Sequence, residues 1–374
     1  MSAATPTPKK EREWAPRIWE GCSFPAWLSL LVRNRFAVSR SHLYMVPVIS
    51  CVSTVHSLLR FFEEAIFRDA VARTEIRHPP LFILGHWRSG TTLLHELLIT
   101  DPRHGFPNTY QCLEPNHFIL TERLFTRLFA WVLPSRRPMD NMAAGWDRPQ
   151  EDEFALCMLG ERSPYLTVAF PNHGPVDQEY LDLVGLSRDV RRRWMRTLYM
   201  FLKKVTYKNP RRLVLKSPTH TARIPTLLDM FPDAQFIHIV RNPYVIFPST
   251  VNLWKSFYRK HGLQNPTFAG LEEHVFTTFL RMYERFEASK KLIAPGNFHE
   301  LKYEDLVRDP MGEMRTLYDR LNLGRFDLIQ PGIQAYLDRT KGYETNKYDM
   351  TPELRAEIGR RWGEVIRRFG YPIE

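Results

Sequence analysis

The sequence predicts an α/β fold, a three-layer P-loop-like arrangement with a central parallel sheet, preceded by an N-terminal helical extension. Three observations carry this expectation. Residues 81–98 (LFILGHWRSGTTLLHELL) read as an apolar strand, a glycine-bounded loop and an amphipathic helix, with the G-x-x-x-x-G spacing of a phosphate-binding loop. Phe236 to Val240 (FIHIV) is a second apolar strand, followed at Asn242-Pro243 by a helix start with proline in the first turn. From about residue 79 onward, strand and helix patterns alternate, as expected of a parallel sheet covered on both faces with ligands at the strands' carboxyl ends.

Taken in order, residues 1–13 (MSAATPTPKKERE) lack apolar periodicity and are expected to form a disordered tail. Residues 14–78 are expected to be helical and to pack on the core or on a membrane surface. Within them, Leu43 to Leu59 carries no formal charge but contains Pro47, His56 and four Ser/Thr, and it is shorter than the roughly 20 apolar residues of a membrane span. With Phe24 to Phe36 it also fits an interfacial helix pair, so residues 24–60 are candidates for peripheral membrane contact. Pro79-Pro80 opens the main domain, residues 79–374. Its strands are Leu81 to Leu84, Leu213 to Leu215, Phe236 to Val240 and a further candidate at Phe298 to Tyr303. Its helices include one bearing Leu93, Leu94, Leu97 and Leu98, one bearing Ile224, Leu227 and Leu228, one running from Pro243 towards Tyr258, and a last one capped by Thr351.

Composition bounds the function. A chain of 374 residues, 44% hydrophobic, can bury a sizeable core. A net charge of +11 favours anionic partners, whether nucleotide, acidic glycan, lipid headgroup or nucleic acid. Cys22, Cys51, Cys112 and Cys157 are widely separated, which fits a reducing, cytoplasmic compartment and argues against a disulfide framework. The histidines form no H-E-x-x-H pattern, so no metal is expected, and the arginines form no nucleic-acid recognition motif.

The loop carries the chemistry. Gly85 and Gly90 bound it, Ser89, Thr91 and Thr92 supply hydroxyls, and its cation is Arg88, whereas the lysine that holds a triphosphate is absent after Gly90. A second element, VRNPYVIFPS, places Arg241 at a strand end and Ser249 two helical turns further on. That spacing lets a guanidinium and a hydroxyl approach one phosphate. Two phosphate sites at neighbouring strand ends imply a ligand phosphorylated at both ends.

These elements resemble the sulfotransferase superfamily, whose sulfuryl donor is 3′-phosphoadenosine 5′-phosphosulfate (PAPS). The resemblance implies that Arg88, Ser89, Gly90, Thr91 and Thr92 hold the 5′-phosphosulfate and that Arg241 and Ser249 hold the 3′-phosphate. It extends to Lys216, placed as a strand-end lysine approaching the sulfonate; to Tyr303 of Y-E-D-L, placed near the adenine; and to Lys341-Gly342, matching a late loop over the 3′-phosphate. The cytosolic branch has K-T-H, with its histidine as general base, but Pro218 stands in the histidine's place here and His220 is a shifted candidate. The chain is more similar to carbohydrate- and tyrosine-directed branches, which use a glutamate some way after the loop. Glu114 occupies a comparable place.

The expected catalytic residues are therefore Arg88, Lys216, Glu114 and His220, with Glu114 accepting the acceptor's proton. Trp87 reads either as a packing residue or as a shield of the sulfonate from water. Glu151, Asp152 and Glu153 read first as caps of the helix through Phe154 and Leu156, with an acceptor-site role as the alternative. The acceptor is expected to be a small molecule, a glycan or a lipid-linked hydroxyl. Two other classes stay open: a P-loop kinase or hydrolase, which would want a lysine at position 91, and a non-catalytic nucleotide-binding adaptor at a membrane.

Overall fold

The computed structural model describes residues 17–128, 145–341 and 348–374. The expected tail at 1–13 lies outside them. Two helices come first, α1 (Phe24–Arg33) and α2 (Met45–Arg73). Strand β1 (Leu81–Leu84) leads to α3 (Thr91–Leu98), then β2 (His104–Gly105), α4 (Thr109–Leu113), α5 (Phe118–Leu128), α6 (Asp152–Met158) and α7 (Arg188–Lys208). There follow β3 (Arg212–Lys216), α8 (Ile224–Met230), β4 (Gln235–Val240), α9 (Pro243–His261), α10 (Leu271–Lys290) and β5 (Phe298–Lys302). The chain closes with α11 (Tyr303–Arg308), α12 (Pro310–Arg320), α13 (Gln330–Arg339) and α14 (Pro352–Arg368).

The sheet is parallel throughout, with strand order β2-β3-β1-β4-β5. The two-residue β2 has no alternating or branched signature, so sequence pattern does not reveal it. Strand residues divide by the two-residue period of the pleat. Leu81, Ile83, Val214, Ile237 and Ile239 face a core with Leu94, Leu97, Met314, Leu317 and Ile333 of α3, α12 and α13. Phe82, Leu84, Leu215, Phe236 and Val240 face the larger core with α7 to α10 and α14. Both faces are covered, which is why the strands read as unbroken apolar runs.

Register positions the site. Ile83 lies beside Lys216, Leu84 beside His238, and Val240 beside Lys302. The residues just past these strand ends are Gly85, Arg241 and Tyr303, so pairing alone gathers the loop, Lys216 and both later elements along one carboxyl edge.

The N-terminal helices wrap the larger core. In α2, Met45, Ile49, Ser53, His56, Glu63 and Val71 are buried. Leu43, Tyr44, Val48, Val55, Leu58, Phe61, Phe62 and Ile66 point outward. The helical stretch Arg40–Arg73 is long and apolar enough to cross a membrane, with mean hydropathy 1.5 in its most apolar window, of which 22% is buried.

Candidate active site

The glycine-bounded loop is tight at both ends. Gly85 has φ +151°, and a Cβ there would stand 2.6 Å from Ser89 Oγ and 2.7 Å from the Ile239 carbonyl oxygen. Its N–H donates to Thr221 Oγ1 at 2.8 Å, tying the loop to the segment after β3. Gly90 has φ +103° and lies under the Tyr303 ring, where a Cβ would come within 2.3 Å of Cδ2. Only glycine adopts such backbone freely and leaves room for the ring. Thr91 and Thr92 open α3, so the loop's residues face a helix N-terminus.

Arg88 itself has φ +70°, an uncommon conformation for a large side chain. Its Nε donates to Ser249 Oγ at 2.9 Å, and Arg241 Nη1 donates to the Arg88 carbonyl at 3.0 Å. The Arg241 guanidinium stacks 4.2 Å from the Tyr303 ring centre. The structure thus brings Arg88, Gly90, Arg241, Ser249 and Tyr303 into one cluster, two cations and an aromatic face beside a helix N-terminus. Two guanidinium groups, a hydroxyl and an aromatic face at a helix N-terminus have the chemistry to bind anionic and planar groups. Lys341 follows α13 and is exposed. Gly342 lies outside the described residues.

The acidic run behaves differently from the capping expectation. Glu151 is the N-cap residue of α6, yet its side chain makes no cap hydrogen bond. Instead the three carboxylates meet the segment after β3 in order. Lys216 Nζ donates to Glu151 Oε1 at 2.7 Å. Ser217 Oγ donates to Asp152 Oδ1 at 3.0 Å, and His220 Nε2 lies 2.7 Å from Asp152 Oδ2. Thr219 Oγ1 donates to Glu153 Oε2 at 2.9 Å, and Arg223 forks onto both Glu153 oxygens. Charge pairing between strands of chain more than sixty residues apart outweighs a helix-dipole contact near the surface. Burial alone would raise the Asp152 and Glu153 carboxyls. The His220 charge with its hydrogen bond and that of Ser217 turn Asp152 below the usual range, and Arg223 with Ser163 does the same for Glu153.

Glu151 differs from its neighbours in being partly exposed. Its second oxygen accepts from Tyr165 OH at 2.5 Å, and Tyr165 OH in turn accepts from Trp87 Nε1 at 2.8 Å. Burial and the adjacent Glu151 push the Tyr165 phenol far up, so it remains a donor. A continuous chain Trp87–Tyr165–Glu151–Lys216 therefore joins the phosphate loop to the end of β3. His220 is fully enclosed with Asp152, its ring edge against Phe82 at 5.4 Å. Glu114 stands at the end of α4 among His56 and His117, and no described hydrogen bond or ion pair links it to Lys216 or the loop. Burial raises its carboxyl, and the hydrogen bonds and charges of the two histidines more than reverse this. Sequence reasoning placed Glu151 only in a general acidic run and missed Tyr165. The available signal was the matched order of E-D-E at 151–153 and K-S-P-T-H-T-A-R at 216–223.

Comparison with known proteins identifies the family. The sulfotransferase family model matches residues 79–327. The chain belongs to the sulfotransferase family. It is 48% identical over 360 residues to the omega-hydroxy-beta-dihydromenaquinone-9 sulfotransferase Stf3 of Mycobacterium tuberculosis and to that of Mycobacterium bovis, covering 96% of this chain and 92% of each relative. Human carbohydrate sulfotransferase 6 is 24% identical over 289 residues, covering 69% of this chain and 66% of that protein. Among solved structures, sulfotransferase STF9 of Mycobacterium avium shares the fold with a TM-score of 0.64 at 19% identity, covering 95% of this chain and 98% of that one. The chain is a PAPS-dependent sulfotransferase, which sets aside the kinase, hydrolase and adaptor readings.

Proposed function

We propose that this sulfotransferase moves the sulfuryl group of PAPS to a terminal hydroxyl on a membrane-resident isoprenoid quinone or a lipid alcohol of that kind, with Glu151 as the general base. The observation that carries the reading is the placement of α6. Its start bears Glu151 against Lys216, while at its other end Gly160 abuts α1, where a Cβ would stand 3.2 Å from that of Ala26. A seven-residue helix spans about 10 Å, so the apolar α1–α2 surface lies one short helix from the base. The relative at 48% identity is named for a hydroxylated dihydromenaquinone, an acceptor that such a surface would suit.

In this reading the protein docks peripherally through α1 and α2, apolar side chains in the interface and arginines at the headgroups. Arg88 and Ser249 grip the 5′- and 3′-phosphate ends with Arg241, and Tyr303 stacks beside the nucleotide. The acceptor oxygen attacks sulfur in line as the bond from sulfur to the 5′-phosphate oxygen breaks, through a loose transition state like that of phosphoryl transfer. Glu151 takes the acceptor's proton, and Lys216 and Arg88 carry the charge that develops on the sulfonate oxygens and the departing phosphate. Asp152, Glu153, His220 and Arg223 act as positioning residues that fix the Lys216 segment.

The test has two arms. Purified protein with PAPS and an ω-hydroxylated menaquinone in anionic vesicles should give a sulfated lipid by mass spectrometry; turnover of a soluble sugar in preference to the quinone would reject the lipid assignment. Glu151→Gln should reduce kcat by about 10²–10⁴ while affinity for 3′-phosphoadenosine 5′-phosphate stays within a few-fold. Wild-type turnover in that variant would place the base elsewhere.

A further inference from the structure

On the reading of Glu151 as the general base, we infer that Tyr165 is the residue that positions it. Held by Trp87 of the phosphate loop, the Tyr165 phenol aims the Glu151 carboxylate so that Oε1, the oxygen beside Lys216, takes the acceptor's proton. Tyr165 lies in the 3-10 turn Pro164–Val168 and is buried. Its hydrogen bonds run in one direction only. An indole N–H donates and never accepts, so Trp87 Nε1 gives its proton to the phenol oxygen at 2.8 Å. The phenol's single proton then goes to Glu151 Oε2 at 2.5 Å, while Oε1 meets Lys216 Nζ at 2.7 Å. These two donors differ in what they can release. Tyr165 has one proton and no other acceptor within reach among its described contacts, whereas an ammonium has three N–H groups to share with the sulfonate and the departing phosphate as charge builds there. The acceptor's proton therefore passes to Oε1 as its oxygen bonds to sulfur, and the electron pair of the broken sulfur–oxygen bond stays on the 5′-phosphate.

The phenol is fixed from several sides. Its ring meets Phe154 at 5.3 Å and Trp254 at 5.9 Å, both edge-on. Its backbone N–H donates to Ser163 Oγ at 3.2 Å, and that hydroxyl itself donates to Glu153. The carboxylate it holds is the one in the acidic run that opens to solvent: the Glu151 side chain is 16% exposed, whereas those of Asp152 and Glu153 are fully enclosed. A partly open glutamate held at one oxygen alone can turn among its rotamers, and a second donor on the other oxygen removes that freedom. Trp87 ties this arrangement to the sulfuryl donor. It stands between His86 and Arg88, inside the loop bounded by Gly85 and Gly90, so the segment assigned to the 5′-phosphosulfate also sets where the base points. A misplacement of about 1 Å between reacting groups costs about 10²-fold in rate, which is the scale on which such a tether acts.

Tyr165→Phe keeps the ring and removes only the hydroxyl. With PAPS and ω-hydroxylated menaquinone in vesicles, kcat should fall by about 10–100-fold while KM for PAPS and Kd for 3′-phosphoadenosine 5′-phosphate stay within about threefold. In a Glu151→Gln background the same change should cost less than about twofold, because no base is left to aim. Wild-type turnover in Glu151→Gln removes the base and this inference with it. A slow Glu151→Gln beside a Tyr165→Phe of wild-type kcat overturns this inference alone, and so does a loss of equal size in both backgrounds, which would place the phenol's role outside the carboxylate. Trp87→Phe removes the next N–H of the chain; it should show the same split on a smaller scale, and it reports in place of Tyr165→Phe if that variant does not fold. Crystal structures with 3′-phosphoadenosine 5′-phosphate need no acceptor. The Glu151 carboxylate should hold one orientation in the wild type and lose it in Tyr165→Phe, and an unchanged carboxylate in the variant overturns the inference.

Discussion

Gly90→Ala tests the nucleotide cradle with a single methyl group. Gly90 has φ +103°, and a Cβ there would stand 2.3 Å from Tyr303 Cδ2 and 2.9 Å from Cε2. Holding a non-glycine residue in such backbone costs about 1–3 kcal/mol, and forcing a methyl group into a packed ring adds about 1–3 kcal/mol. The ring has little freedom to turn aside, because the Arg241 guanidinium stacks 4.2 Å from its centre. Relief by moving Tyr303 therefore displaces the arginine assigned to the 3′-phosphate. Of the total of about 2–6 kcal/mol, the steric half should appear partly in ligand affinity, weakening 3′-phosphoadenosine 5′-phosphate by about tenfold or more. Calorimetric titration and thermal unfolding of Gly90→Ala, Tyr303→Ala and the double variant separate the two parts. With the ring truncated, the methyl group should cost only its backbone strain, giving a coupling of at least 1 kcal/mol. If the single costs add to within about 0.5 kcal/mol, or if Gly90→Ala binds nucleotide like wild type, the ring does not sit over the loop as described and the cradle reasoning fails.

Arg241→Ala should raise the Kd for the same nucleotide by about 10–150-fold, the equivalent of a charge-assisted hydrogen bond worth about 1.5–3 kcal/mol, and should flatten the dependence of Kd on salt; a change under twofold would remove Arg241 from the site. Stability should fall between pH 7 and pH 5. Burial pushes His86 and His274 down to about 4 and His95 and His261 down to about 3. Their folded pKa values lie below the unfolded value near 6.5, so below that pH the unfolded chain gains protons that the native state refuses, and stability is lost progressively towards the folded values. Each histidine contributes a loss of about 2 kcal/mol by pH 5, and a melting temperature that stays level across this range would show that these rings are not buried as neutral groups.

The parts of the site that follow from local backbone demands were legible in the sequence. Gly85 and Gly90 are where the chain turns through conformations that strain other residues, and Arg241 and Ser249 keep the spacing of a strand end and a helix two turns on. Parallel register then needs only apolar strands of similar length to bring these elements to one edge. The proposed proton acceptor was hidden for the opposite reason. Glu151 is defined by Lys216, Tyr165 and Trp87, three residues on three other segments, and nothing near it in sequence distinguishes it from Asp152 or Glu153. Glu114 sits at an inviting distance after the loop, yet α4 ends by turning its carboxylate towards α2.

The N-terminal helices show why composition alone left the membrane question open. An ordinary surface helix buries its apolar stripe and exposes its polar one. In α2 the buried set includes Ser53, His56 and Glu63: Ser53 Oγ donates to the Ser50 carbonyl within the helix at 3.1 Å, whereas Glu63 accepts from the Leu120 N–H at 3.1 Å and pairs with Lys204, and His56 meets Glu114. Among the residues left outside are Val48, Val55, Leu58, Phe61, Phe62 and Ile66, together with the charged Glu64, Arg68 and Asp69. A hydropathy profile cannot separate these faces, since it averages round the helix. The structure does separate them: Met45, Ile49 and Val71 share the inner side with Ser53, His56 and Glu63, and a row of large apolar side chains is turned away. Water gains nothing from that arrangement. A bilayer would cover the outer face without disturbing a single contact of the inner one, which is the arrangement that the proposed lipid acceptor requires.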